Sequence, residues 1–346
     1  MRPTGSQTLA PERSERALAQ RDLLKRGAFF KLICGAGNED AQEVYKLSLV
    51  YTLAGASGID LSARAEVVAA AKRAIDDAQK LQPTFDTGEV LRPYLTVSVG
   101  MPGDPHVRKA RILQEACTEC NACIPVCPTD AIPASLTIIE SRCIGCGACA
   151  VACQDDSIGY AHKEIEMERV LCECLEAGAE NIELHASVRD HEPVLKEWEL
   201  VTRLLPDGFV SVCLDRGYLS NHELRVRIER MLAHAEGRMI VQADGIPMSG
   251  SNNTFNTTLQ AVATADIVAK MGLPVYLLLS GGTNARTAEL ARQCGVPFAG
   301  VSVGTYARHL VYNEINQPAF PHDGLLEAAV ARARALVSAS SGVGHA

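Results

Sequence analysis

No part of this 346-residue chain is apolar for the roughly twenty residues that a membrane-crossing helix needs, and its first residues lack the apolar core of a secretory signal. Positive charge is also in short supply. The chain has 33 Lys and Arg against 41 Asp and Glu, a net charge of −8. That balance, with a pI near 5.6, disfavours nucleic acid and anionic membrane as partners, since both are bound through a basic surplus. The expectation is a soluble, cytoplasmic protein with no integral membrane segment, and 47% hydrophobic content is enough to bury a large core.

Cysteine, by contrast, is plentiful at 13 residues. Eight fall into two runs of one spacing: Cys117, Cys120, Cys123 and Cys127, followed by Pro128, then Cys143, Cys146, Cys149 and Cys153, followed by Gln154. This C-x2-C-x2-C-x3-C spacing is that of bacterial two-cluster ferredoxins. A lone C-x-x-C is shared with zinc ribbons and redox dithiols, so structural zinc is the alternative. On the ferredoxin reading the fourth cysteine of each run starts a short helix and reaches across to the other cluster. Cluster one then takes Cys117, Cys120, Cys123 and Cys153, and cluster two takes Cys143, Cys146, Cys149 and Cys127. So many thiols committed to metal argue against a disulfide framework and for a reducing compartment. Cys172, Cys174 and Cys294 read as core thiols, and Trp198 as a core residue. Cys34, at the end of the first strand, either packs or offers a thiol at the site.

Around the cysteine block the chain alternates strands near 29–34, 58–62, 94–99, 181–186, 209–214, 239–243, 275–279 and 299–303 with helices near 40–54, 63–81, 165–177, 192–205, 222–235, 256–271, 285–294 and 324–337. Eight such units predict an α/β fold, a (β/α)8 TIM-like barrel, with an open doubly wound sheet as the other topology of this pattern. The barrel occupies 21–100 and 164–338. A bacterial-type, two-cluster 4Fe–4S ferredoxin domain is inserted at 101–163, after strand three. A flexible leader (1–20) and a flexible tail (339–346) flank these units. An insert in a βα loop lies on the C-terminal face of a barrel, so the clusters should hang over its mouth.

Strand alternation turns Lys31, Asp60, Ser62, Thr96, Ser98, Glu183, His185, Ser211, Cys213, Asp215, Gln242 and Asp244 inward. That lumen is polar where barrels are usually filled with branched apolar side chains. Either Lys31 bridges Asp60 and Glu183 in a satisfied core network, or the residues nearest the strand ends, His185, Asp215 and Asp244 with Ser62, converge on a ligand or a catalytic step. Acids outnumber bases there, which favours a cationic ligand. Two glycine turns point the other way. Ser280, Gly281 and Gly282 follow strand seven, and Gly304 with Arg308 follows strand eight, where such barrels often hold phosphate. Flavin mononucleotide is the cofactor that site would take, unless the glycines only turn the chain. The loop 242–253, with Asp244, Ser249, Asn252 and Asn253, is either a binding loop or a capped turn.

Several segments together carry a resemblance: Lys31-Leu-Ile-Cys-Gly-Ala, Tyr51-Thr-Leu-Ala-Gly-Ala, the cysteine block, Leu175-Glu-Ala-Gly-Ala with Ile182-Glu-Leu-His185, Asp244-Gly-Ile-Pro-Met-Ser-Gly250 and Leu279-Ser-Gly-Gly-Thr-Asn284. Over roughly 21–311 the chain resembles the light-dependent period (LdpA) family of cyanobacterial iron–sulfur proteins. The resemblance implies an iron–sulfur protein at the input of the circadian clock that reports cellular redox state, with clock-associated proteins as partners. Such a sensor would exchange electrons with a ferredoxin or a quinone-linked pool. The other class of function is a ferredoxin-linked oxidoreductase acting on a flavin or a polar substrate at the mouth.

Overall fold

Strands of one parity and helices with one apolar face close on themselves in the computed structural model, which describes residues 9–85, 91–162, 165–214, 216–245 and 252–341. The barrel strands are β1 (Phe29–Ile33), β2 (Gly58–Ser62), β3 (Tyr94–Gly100), β6 (Asn181–His185), β7 (Val210–Leu214), β8 (Met239–Asp244), β9 (Tyr276–Ser280) and β10 (Gly300–Val303). All pair in parallel in that order, and β10 closes on β1 with Lys31 opposite Ser302. The hairpin β4 (Arg108–Ile112) and β5 (Ile158–His162) frames the insert as a separate antiparallel pair. The helices are α1 (Leu9–Lys25), α2 (Ala41–Leu53), α3 (Ala65–Leu81), α4 (Ala148–Ala152), α5 (Met167–Ala177), α6 (His191–Leu204), α7 (Asn221–Leu232), α8 (Phe255–Lys270), α9 (Thr287–Gln293), α10 (Thr305–Ile315) and α11 (Leu325–Ser340).

Outward-facing strand residues such as Leu32, Ile59, Val97, Ile182, Val212, Val241 and Leu279 pack under the helices in one continuous core. The inward parity is layered. At the N-terminal end Phe29, Tyr94, Phe209, Ile240 and Leu278 form an apolar floor with Leu24 of α1. Above it lie the polar side chains, all nine-tenths or more buried: Lys31, Asp60, Thr96, Glu183, Ser211, Gln242 and Ser302, then His185, Cys213, Asp244 and Ser280 at the mouth.

Two expectations fail here. Residues 9–20 are not a loose leader: α1 runs through them, Arg16 stacks 4.2 Å over the Tyr94 ring and pairs with Glu180, and Gln20 is buried. Its leucines and alanines do not gather on one helical face, so little in the hydrophobic pattern announces it. Strand β10 is followed at once by α10, whose Ala307, Val311 and Ile315 pack inward at helical spacing, where only the later helix was expected. The tail is helical to Ser340 in α11, and residues 342–346, like Lys163 at the expected insert boundary, lie outside the described residues.

Candidate iron–sulfur centre and barrel mouth

Within the insert, loops rather than regular elements position the sulfurs. Five of the six non-glycine residues with left-handed φ among the described residues lie here: Glu119, Asn121, Asp130, Leu136 and Asp156. Such turns are costly, and they wind the chain back on itself around the cysteines. Cys127 lines one cavity with Cys143, Cys146 and Cys149, alongside Ala110, Ala131, Ile132, Ile138 and Tyr160. Cys123 has Cys117, Cys120 and Cys153 as its sulfur neighbours. Each run thus lends its fourth cysteine to the other run's three. The helix expected to start at each fourth cysteine is not found there: Cys127 lies in a run of turns, and in the second run α4 begins after Gly147 (φ 85), holds Cys149 and is capped at its end by Cys153.

None of the thirteen cysteines is in a disulfide. Burial pushes the Cys149 thiol up to about 11, and the sulfurs of Cys146 and Cys143 add to it. Thiols gathered this closely resist ionisation together unless a cation shares them, so the donor chemistry fits an iron cluster at each quartet. Backbone amides already aim at the sulfurs: Ala110 N donates to Cys143 Sγ at 3.3 Å and Ala131 N to Cys127 Sγ at 3.2 Å. Gly145 (φ 69) is required by close approach, since a Cβ there would lie 2.5 Å from the Pro105 carbonyl and 2.6 Å from that of Arg108.

The second loop of the insert roofs the barrel. Ile144 and Cys146 line a cavity of about 100 Å³ together with Cys34, Glu183, His185, Cys213, Asp244 and Arg308. Lys109 of β4 fixes this roof. Its ammonium donates to the carbonyls of Glu140 (2.7 Å) and Cys143 (2.9 Å) in the insert and to that of Gly37 in the barrel's first βα loop. Arg142 pairs with Asp40 at 3.0 Å, and Glu39 N donates to the Ser141 carbonyl at 2.7 Å. Lys109→Met removes several charge-assisted bonds worth about 1.5–3 kcal/mol each. Amide exchange across 34–40 and 139–147 should then quicken at least tenfold by hydrogen–deuterium mass spectrometry, with iron content kept.

Beneath the roof, Lys31 Nζ lies 2.5 Å from Glu183 Oε2 and 3.7 Å from Asp60 Oδ1. Ser98 donates to Asp60, and Ser211 donates to Glu183 at 2.7 Å. The expected bridging network is therefore in place. Burial alone would raise the Glu183 carboxyl, but Lys31, His185 and the Ser211 hydroxyl outweigh it and hold the group below its usual value. His185 Nε2 is 3.4 Å from Glu183 Oε1, and Cys213 donates its S–H to Asp244. Burial first, and then Asp244, pushes the Cys213 thiol far above its ordinary value. His185 and Asp244 thus meet at the mouth, whereas Asp215 and Ser249 lie outside the described residues.

The phosphate reading fares differently. Ser280, Gly281 and Gly304 do line the cavity, but Arg308 is committed: Nε pairs with Glu43 at 2.9 Å and Nη2 donates to the Cys34 carbonyl at 2.7 Å. Gly281 (φ 65) serves backbone packing, since its Cβ would fall 2.6 Å from Gly245 N, and Gly282 (φ 73) continues the same turn. A space of about 100 Å³ is also well below the ~300–1,000 Å³ of cofactor pockets, and nothing here supports a flavin. The loop residues Asn252 and Thr254 accept the Asn284 side-chain amide at 2.8 Å, closing the β8–α8 and β9–α9 loops on one another.

Sequence reasoning missed Lys109, whose partners are backbone carbonyls 31 to 72 residues away. It also missed Arg227, a buried guanidinium that caps the loop after β6 through the carbonyls of Ala186 (2.7 Å), Val188 (2.8 Å) and Arg189 (2.9 Å). Only its place on the inner face of α7 could have marked it.

A closed parallel barrel whose inserted hairpin carries two ferredoxin-type cysteine runs, the second over its mouth, defines an iron–sulfur protein on a TIM-like scaffold. Residues 110–132 and 136–158 each match the 4Fe-4S binding domain, and residues 174–339 match the Light dependent period A C-terminal domain. The chain is 31% identical over 331 residues to Light dependent period A of Synechococcus elongatus, covering 91% of this chain and 92% of that one. It belongs to the light dependent period A family. Among solved structures it is similar to tryptophan synthase from M. tuberculosis (TM-score 0.45, 10% identity, 96% and 98% of the two chains) and to an aldolase from Escherichia coli (TM-score 0.43, 10% identity, 94% and 93%), likenesses too distant to bear on function.

Proposed function

We propose that the chain is a redox sensor of the circadian clock input, in which Cys117, Cys120, Cys123 and Cys153 hold one 4Fe–4S cluster and Cys143, Cys146, Cys149 and Cys127 hold the other. When bound, the clusters would supply reversible one-electron uptake, which changes the charge held beside the barrel mouth. The observation that carries this reading is Lys109, a single buried ammonium tied to the Cys143 carbonyl on one side and the barrel's Gly37 carbonyl on the other. Added negative charge at the Cys143 loop strengthens its hold on Lys109, and lost charge relaxes it. Arg142 and Asp40 carry the same change to the surface, where a clock-associated partner would read it. Exchange with a ferredoxin or a quinone-linked pool fits the other face of the insert, where Cys120 is exposed and the apolar side chains of Val126 and Val151 stand in solvent.

The test has two parts on anaerobically purified protein. Iron and sulfide should each approach about eight per chain, and dithionite-reduced protein should give the electron paramagnetic resonance of two interacting cubanes. Amide exchange in 34–40 and 139–147 should then be slower in the reduced than in the oxidised protein. Equal exchange in both states would remove the sensor reading while leaving the clusters in place.

A further inference from the structure

Under the insert, the lumen holds a donor set apart from the cysteine quartets, built where the Lys31 network meets the mouth. Glu183, His185 and Cys213 stand on the paired strands β6 and β7 and offer an oxygen, a nitrogen and a sulfur, all within 4.8 Å of one another. All three are buried and line the roofed cavity. The two oxygens of Glu183 have separate duties. Oε2 is fixed by Lys31 (2.5 Å) and Ser211 (2.7 Å), and Oε1 turns toward His185 Nε2 at 3.4 Å. Outer partners orient the carboxylate ligands of metal ions in this way.

We infer that Glu183, His185 and Cys213 form a mononuclear site for a divalent transition-metal ion of zinc's character, distinct from the cysteines of the insert. Metal binding would release the Cys213 proton to solvent and leave a thiolate, which excludes magnesium and calcium, since these take oxygen donors; one donor each of sulfur, nitrogen and oxygen is a borderline set that suits zinc. Three protein ligands leave a fourth position open, here facing the cavity below Cys146. The side chains would draw in by about an ångström to reach the roughly 3.5 Å edge of a zinc tetrahedron.

The test uses full-length, cluster-loaded protein incubated anaerobically with zinc ion alone, gel-filtered, and assayed for zinc and iron by mass spectrometry. The wild type should retain about one zinc per chain with iron unchanged, and its zinc-edge X-ray absorption should show one sulfur among nitrogen and oxygen neighbours. Cys213→Ser and His185→Gln should each lower retained zinc at least tenfold at unchanged iron. Cys34→Ser, which alters another thiol of the same cavity, should retain it. Three results would overturn the site: no zinc on the wild type, equal zinc on the Cys213 and His185 variants, or an all-sulfur shell with iron lost as zinc is gained. Should either variant lose iron as well, the wild-type edge spectrum decides alone, a single sulfur sustaining the site and an all-sulfur shell ending it. Iron content is read separately, so failure here is distinct from failure of the cluster assignment.

Discussion

Cys143→Ser should remove about half of the iron, from about eight to about four per chain, and loosen the roof of the barrel in the same variant. Cys143 carries both consequences because its sulfur accepts the Ala110 amide while its carbonyl accepts Lys109. The crossed arrangement makes a sharper forecast. Cys127→Ser belongs to the first run by sequence, yet it lines the cavity of the second and should lose the same four irons as Cys143→Ser. Cys123→Ser should lose the other four and leave amide exchange at 139–147 as in the wild type. Iron analysis with paramagnetic resonance of each variant distinguishes the sets. If Cys127→Ser and Cys123→Ser lose the same signal, the fourth cysteines do not cross.

Lys31→Met should cost about 3–5 kcal/mol, because it strips a shared cation from two buried carboxylates. The pH dependence gives the variant a signature. In the folded wild type the Glu183 carboxyl is lowered, so its contribution is complete above the unfolded value of about 4.3 and is lost as pH falls through the folded value. The Lys31 ammonium is raised: burial opposes its charge, but Glu183 and Asp60 more than restore it. Its contribution is complete below the unfolded value of about 10.4 and is lost as pH rises through the folded one. The pair therefore supports a plateau across neutral pH. Without Lys31, burial raises Glu183 above its unfolded value, and the folded state then binds the extra proton. Urea midpoints should consequently show the deficit of Lys31→Met shrinking as pH falls from about 7 to about 5. A deficit independent of pH would mean that Glu183 is not the residue left uncompensated.

Much of this was legible from residue order because the signals are strictly periodic. Period-two alternation put Lys31, Asp60 and Glu183 on one face before any contact was known, and two copies of one cysteine spacing named the eight sulfurs. What escaped depends on groups that carry no pattern. Lys109 finds backbone carbonyls, which every residue possesses, so nothing in the chain marks them as its targets. Among the described side chains of α1, Leu23 and Leu24 meet the floor while Leu18 stays exposed, too few apolar positions to trace a stripe. Gly304 concealed α10 by reading as a turn, when it is the residue from which the helix starts. Arg308 misled for the same reason: an arginine beyond a glycine turn suggests an oxyanion, but one helical turn carries it to Glu43.

The barrel is stoppered at one end only. Phe29, Tyr94, Phe209, Ile240 and Leu278 seal the base with α1 beneath them, so the route to Lys31 and Glu183 runs from the mouth, where Ile144 and Cys146 of the insert line the same cavity. An insert held more tightly there should slow the exchange of water and protons between the barrel interior and its surroundings.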